Sequence, residues 1–304
     1  MAPLYSLTNG THVDVPDHHQ MGQVAYFVDR IRGAYYRTST NEPYLSGDSF
    51  ASLADYYAFG ITGAVPIDSQ KLAKASVIFV NGDKLDELLE GYSASINARV
   101  LITGNSDANW SKMPPLPPSV SLWLAQNCAV NDSRSLPLPI GIENLRLGNR
   151  GRKSHYTKRQ LANVTSRVLV PPMSLSNPIR QVVVQKTLNL PDIFDVQLNY
   201  LSPERYFALA RKYQFVLCLE GNGYENHRIW EALYFGNFPV LLRTTWSRKL
   251  ASLQLPFLMV DDVSEVTLEI IDQHRQTHSD FKPEETSVLW LNHWRRLILE
   301  ALGD

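Results

Sequence analysis

The stretch FVLCLEGNGYENHRIWEALYFGNFPVLLR, from Phe215 to Arg243, places Glu220, Glu225, Asn226, His227, Arg228 and Glu231 within a dozen positions between two apolar runs. The first run, FVLCLEG, is continuously apolar up to Glu220, as a parallel strand covered on both faces requires. It ends at Gly221. Ligands of open α/β sheets bind beyond the carboxyl ends of the strands. Glu220, Gly221, Asn222, Gly223 and Tyr224 therefore fall where a ligand would sit, and two glycines let backbone approach it closely. A helix is expected from Asn226, a competent N-cap, with Ile229, Ala232 and Leu233 on its buried stripe and Gly236 as its C-cap. Arg228 then stands in the first turn, where a cation opposes the helix dipole by roughly a few tenths of a kcal/mol. A helix N-terminus combined with an arginine makes a phosphate site. Glu231, one turn on, can accept two hydroxyl protons from a ribose. The ordinary alternative is an exposed Arg228–Glu231 pair, three apart and of small energetic weight, with His227 a solvated helix-start residue.

The elements that must position these groups are legible as alternating short apolar runs and longer mixed segments, which point to α/β layering. In the first half, QVAYFVDRI (from Gln23), ASVIFVNGD (from Ala75), ARVLITGNSD (from Ala98) and VSLWLAQNCAV (from Val120) are expected strands. SLADYYAFG and KLDELLEGYSASI are expected helices. The polar, basic stretch from Gly148 to Thr165 reads as an exposed segment joining two halves. Beyond it, SRVLVPPMS, FDVQLNYL, FVLCLEG, FPVLLR and PFLMVDD read as strands. The helices between them include two with a cap followed by proline, Asn177–Pro178 and Ser202–Pro203. A last amphipathic helix puts Leu291, Trp294, Ile298 and Leu302 on one stripe. The expected architecture is two doubly wound domains with a cleft between them.

Composition narrows the partners. A formal net charge of −1 over 304 residues supplies no global field for nucleic acid. No apolar stretch approaches the ~20 residues that span a bilayer, and the N-terminus has no basic start followed by an apolar block. The expected location is the cytoplasm, or a soluble domain lacking its membrane anchor. Cys128 and Cys218 lie in apolar runs and read as buried free thiols.

ENHRIWEALYFGNFPVLL resembles the nucleotide-sugar motif of exostosin-type glycosyltransferases, with its acidic or Asn residue, a basic residue, then Glu-Ala-Leu and Gly-x-x-Pro-Val. Fucosyltransferases of a related two-domain fold carry a comparable stretch. MSLSNPIRQ, with Ser174, Asn177 and Arg180, resembles the start of the C-terminal domain in exostosin-like enzymes, and LAQNCAVNDSRSLPLPIGIEN resembles the lead-in to it. The similarity runs from Leu124 to Val260. It implies a GT-B fold: an acceptor-binding domain over residues 1–150, a nucleotide-sugar-binding domain over 151–283, and a helix over 284–304 that packs back on the first domain. It also implies a glycosyltransferase (hexosyl- or pentosyl-) moving a sugar from a nucleotide diphosphate-sugar to an oligosaccharide or glycan acceptor, in glycan or polysaccharide synthesis. The resemblance leaves open which of Asn226, His227 and Arg228 takes each role.

The chain contains no Asp-x-Asp triplet, the usual metal-bridging element of the other main glycosyltransferase fold. No metal or other cofactor is therefore expected, and Arg228, the helix amides near Asn226 and Arg180 would neutralise the leaving diphosphate. An inverting transfer also needs a base from the acceptor side. Asp107 in LITGNSDANW is the first candidate, followed by Asp48 and Glu143, with Asn105, Ser106 and Trp110 as acceptor contacts. Asn, Ser and Asp also populate ordinary turns. His12, His18 and His19 fit no standard metal spacing. Two alternatives stand beside the transferase: a non-glycosyl transfer onto polysaccharide, of the pyruvyl type, and a nucleotide- or carbohydrate-binding module without catalysis.

Overall fold

The computed structural model describes residues 40–60, 65–161 and 163–303. The strand expected from Gln23 and the trio His12, His18 and His19 lie outside them. Among the described residues no helix is long and apolar enough to cross a membrane.

The first half carries β1 (Tyr56–Ala58), β2 (Val77–Asn81), β3 (Val100–Gly104), β4 (Leu122–Ala125) and β5 (Ser135–Pro137), parallel and in sequential order. Helices α1 (Gly47–Ala51), α2 (Ser69–Lys74) and α3 (Leu85–Tyr92) accompany them. Every residue of β3 and β4 is buried, which is why these strands read as unbroken apolar runs.

The second half carries β6 (Thr165–Val170), β7 (Phe194–Val196), β8 (Tyr213–Leu217), β9 (Phe238–Leu242) and β10 (Leu258–Val260). All pairings are again parallel, in the order β10-β9-β8-β6-β7. The chain moves outward from β6 to β7, then returns to the other side of β6 to lay down β8. That reversal is a topological switch point, and it opens a crevice beyond the carboxyl ends of β6 and β8. The helices are α4 (Pro178–Leu188), α5 (Pro203–Ala210), α6 (His227–Phe235), α7 (Thr245–Leu250), α8 (Leu268–Thr277) and α9 (Leu291–Leu302). Asn177, Ser202 and Asn226 cap α4, α5 and α6 with their side chains, and Gly236 ends α6 at φ 90°.

The halves share a core. Phe50, Phe79, Ile102 and Leu124 belong to one apolar cluster with Tyr156, Leu169, Val216, Trp230 and Tyr234. Helix α9 closes it from the first half's side. Leu291 N–H donates to Pro43 O at 3.0 Å, and the Trp294 and Phe50 rings meet edge-on at 5.5 Å.

Two segments differ from the sequence expectation. SLADYYAFG is not a helix: Tyr56–Ala58 pair with β2, and Phe59 and Gly60 then turn at φ 62° and 64°. Helix α1 lies just upstream instead. FDVQLNYL is a strand only to Val196, so Leu198, Tyr200 and Leu201 belong to the loop beyond β7. β5, α2 and α7 were not distinguished in the sequence.

Candidate functional site

The crevice at the switch point holds a cavity of about 380 Å³, lined by Arg150, Pro172, Met173, Ser174, Leu198, Tyr200, Leu201, Tyr206 and Arg228. Each arrives by a different route. Pro172, Met173 and Ser174 follow β6. Leu198, Tyr200 and Leu201 follow β7. Tyr206 comes from α5, Arg228 from the first turn of α6, and Arg150 from the segment that joins the halves.

The floor is polar and incompletely satisfied. The guanidinium groups of Arg150 and Arg228 lie over the Tyr206 ring, 5.3 and 5.8 Å from its centroid. Glu231 lies beneath, fully buried, with Oε1 3.5 Å from Arg150 Nη1. Burial pushes its carboxyl above the usual range, and Arg150 and Arg228 pull it back. Three buried atoms at this floor fall outside ordinary hydrogen-bond geometry, Tyr206 Oη, Arg228 Nε and Glu231 Oε2, with the Tyr206 hydroxyl and the Glu231 carboxylate close enough to interact with each other. Arg228 Nη2 donates to Pro172 O. A buried group left unpaired costs ~1–3 kcal/mol. Two cations against one carboxylate leave the floor net positive, a setting suited to an anion.

The expected donor residues separate by depth. Ser174 and Arg228 line the cavity. Glu231 reaches it only past Arg150. Arg180 differs from expectation. Its Nε donates to Glu220 O at 2.8 Å, and Nη1 donates to Ser174 O at 2.9 Å and Ser174 Oγ at 3.1 Å. It fastens the loop after β6 to the end of β8, leaving little for a diphosphate. Glu220 accepts from Thr244 Oγ1 at 3.2 Å, and burial raises its pKa.

The loop between β8 and α6 docks on the first half rather than standing open for a ligand. Asn222 Nδ2 donates to Asp107 Oδ2 at 3.2 Å, Tyr224 N–H to Asn109 Oδ1 at 2.9 Å, and Glu225 N–H to Asn127 Oδ1 at 2.8 Å. The Glu225 carboxylate accepts from Ile140 N–H at 2.9 Å and from Trp230 Nε1. A Cβ on Gly223 would sit 2.6 Å from Asn127 Nδ2, and one on Gly221 3.0 Å from Arg180 Nη2. These glycines allow close approach to protein, where the sequence pointed to a ligand. Asn226 Oδ1 caps Arg228 N–H at 3.0 Å, and His227 Nδ1 lies 2.8 Å from Gly141 O across the seam.

On the facing side, Asp107 is exposed at this seam through its bond to Asn222. Glu143 is part-buried, and its carboxylate makes no hydrogen bond or ion pair among the described residues. Asp48 does not face the cleft as a base would. It is 2% exposed, pairs with Arg146 at 3.1 Å and accepts from Asn105 Nδ2 at 3.2 Å. Burial raises its pKa against the pull of Arg146. Asn105, at φ 52°, is held on all sides by Asp48, Asn144, Gln126 and Asn81. Ser106 donates to Asp83 at 2.6 Å. Trp110 packs edge-on against buried Trp123 at 5.5 Å instead of standing free as a stacking face. These three hold the first half's loops together.

Arg150, Tyr206 and the Leu198–Leu201 loop are absent from the sequence-derived site. Arg150 stood in a basic run that read as solvated, and Tyr206 in an apolar helix stripe. The loop was hidden because β7 ends five residues earlier than LNYL implied, at Val196 rather than Leu201. No protein-family model matches this sequence, and no curated protein matches it.

Proposed function

We propose that this chain is a glycosyltransferase of the GT-B type, similar in plan to exostosin-like enzymes, whose second half binds a nucleotide diphosphate-sugar in the switch-point cavity. The observation that carries this reading is the cationic floor of a cavity beyond the ends of β6 and β8, where the guanidinium groups of Arg150 and Arg228 lie over Tyr206 and the buried Arg228 Nε makes no hydrogen bond. A volume of about 380 Å³ falls within the range of small-molecule sites. In this reading the diphosphate lies against Arg228 and Arg150, completing the Nε donor of Arg228. The Tyr206 hydroxyl donates to a phosphate or ribose oxygen. Exposed Leu198 and Tyr200, the latter 83% accessible, form the wall against which a nucleobase stacks. Glu231 holds Arg150 in place, and accepts from a ribose where Arg150 turns aside.

The chemistry needed from the protein is then charge stabilisation and a proton acceptor. As the bond from the sugar to the diphosphate breaks, negative charge grows on the leaving oxygens. Fixed guanidinium groups are aimed at that charge and need no reorganisation. The saccharide acceptor enters along the seam from the first half, where Asp107 and Glu143 stand.

Incubating the purified chain with a panel of UDP-, GDP- and ADP-sugars, and following release of the nucleoside diphosphate, tests the proposal. One donor class is expected to be cleaved, with loss of that cleavage in Arg228→Ala. No cleavage of any donor, or cleavage undiminished in the variant, overturns it.

A further inference from the structure

The seam offers a group that the donor-binding reading does not use, the imidazole of His227. Its Nδ1 lies 2.8 Å from Gly141 O. A carbonyl oxygen only accepts, so Nδ1 carries the proton and Nε2 of the neutral ring keeps its lone pair. The carbonyl cannot easily move. Gly141 sits at φ 66°, and a Cβ there would fall 2.0 Å from Leu45 O. Its neighbour Ile142 N–H donates to Leu45 O at 2.8 Å. Among the described residues Nε2 makes no hydrogen bond, yet it is not among the sealed, unpartnered atoms. The ring is part-buried, and Nε2 keeps some exposure. His227 also precedes Arg228, which lines the cavity, and the charged groups that face the ring are Glu143, Arg150 and Asp107. Arg150, which lines the cavity, and the carboxylates of Glu143 and Asp107 on the first half thus all act on the imidazole.

We infer that His227 is the general base that takes the proton from the acceptor hydroxyl. This rests on the glycosyl-transfer reading above and names the proton's destination within it. The hydroxyl oxygen forms its bond to the anomeric carbon, and the bond from that carbon to the diphosphate oxygen breaks, its electron pair leaving with the diphosphate. The hydroxyl proton passes to Nε2, giving an imidazolium that returns it to solvent after the product leaves. Burial holds the ring's pKa below its ordinary value, so the basic form is present at neutral pH. Asp107 and Glu143 stabilise the imidazolium as it forms.

The test uses His227→Asn, whose side-chain amide can keep the bond to Gly141 O while removing the base. In the full chain with its donor and acceptor, kcat is expected to fall ~10²–10⁴-fold with nucleoside diphosphate affinity unchanged. The acid limb of the kcat/KM profile should disappear with it. A turnover within about threefold of wild type, or a larger loss in Asp107→Asn or Glu143→Gln, overturns the assignment. A second readout needs no donor. Nitrogen–proton correlation spectra of ring-labelled histidine should show His227 neutral with its proton on Nδ1, and a proton on Nε2 overturns the inference. A chain that cleaves no nucleotide-sugar defeats the transferase reading and the base role with it, whereas donor cleavage with undiminished turnover in His227→Asn defeats the base role alone.

Discussion

Tyr206 shows how much of the site rests on single side chains. Its ring carries two guanidinium groups, and its buried hydroxyl faces the Glu231 carboxylate. Burial, with Glu231 beside it, holds its pKa well above the ordinary tyrosine value, so the hydroxyl stays a donor. Tyr206→Phe tests folding and binding separately. Removing the hydroxyl beside the Glu231 carboxylate should cost the ligand-free protein no more than about 0.5–1.5 kcal/mol in urea denaturation. If that hydroxyl waits for a phosphate or ribose oxygen, nucleotide affinity should drop about 2- to 10-fold. A larger loss of stability with unchanged affinity would make it a packing residue. Glu231→Ala should cost more, destabilising the fold by ~3–5 kcal/mol, because Arg150 loses its buried carboxylate partner. A loss below about 1 kcal/mol on the same denaturation curve would show that the pair is weakly coupled. At this scale Arg228 was legible because its misfit in a helix first turn is local. Arg150 was not, since only the folded chain brings the joining segment over Tyr206.

At the scale of elements, what was legible followed from neighbours in sequence. Asn177–Pro178, Ser202–Pro203, Asn226 and Gly236 each set a helix end by their own chemistry, and each stands where expected. SLADYYAFG misled because its aromatic spacing suits a helix, whereas pairing of Tyr56–Ala58 with β2 decides its state. β5 has only three residues, Ser135–Pro137, too few for any period to show. The loop after β8 was recognised as special, but its glycines serve contacts that sequence cannot foresee. Gly223→Ala makes this testable. The added methyl meets Asn127, which is 1% exposed and already bonded to Ser106 O and Glu225 N–H. Overpacking there should remove ~1–3 kcal/mol of stability. A variant as stable as wild type in the same denaturation experiment would mean that the loop is free to yield.

Over the whole molecule, the two halves are joined by a common core, by α9, and by the contacts of the β8–α6 loop. Glu225 brings an ionisable group into those contacts, a carboxyl at the buried seam whose pKa burial raises from 4.5 to about 8. The sign of its linkage is definite. The folded protein keeps the proton at pH values where the unfolded chain has lost it. The resulting stability is complete below 4.5 and disappears as pH rises through about 8. Wild type should therefore lose melting temperature between pH 5 and 8.5 more steeply than Glu225→Gln, which keeps an acceptor for Ile140 N–H and Trp230. Parallel profiles would place the titration elsewhere. The central claim concerns the switch-point cavity, and calorimetric titration of the purified chain with UDP, GDP and ADP measures it most directly. One of them should bind with a micromolar Kd, and Arg228→Ala should weaken that binding roughly 10- to 100-fold, as loss of charge-assisted hydrogen bonds requires. Absence of binding by all three, or equal affinity in the variant, would contradict the account.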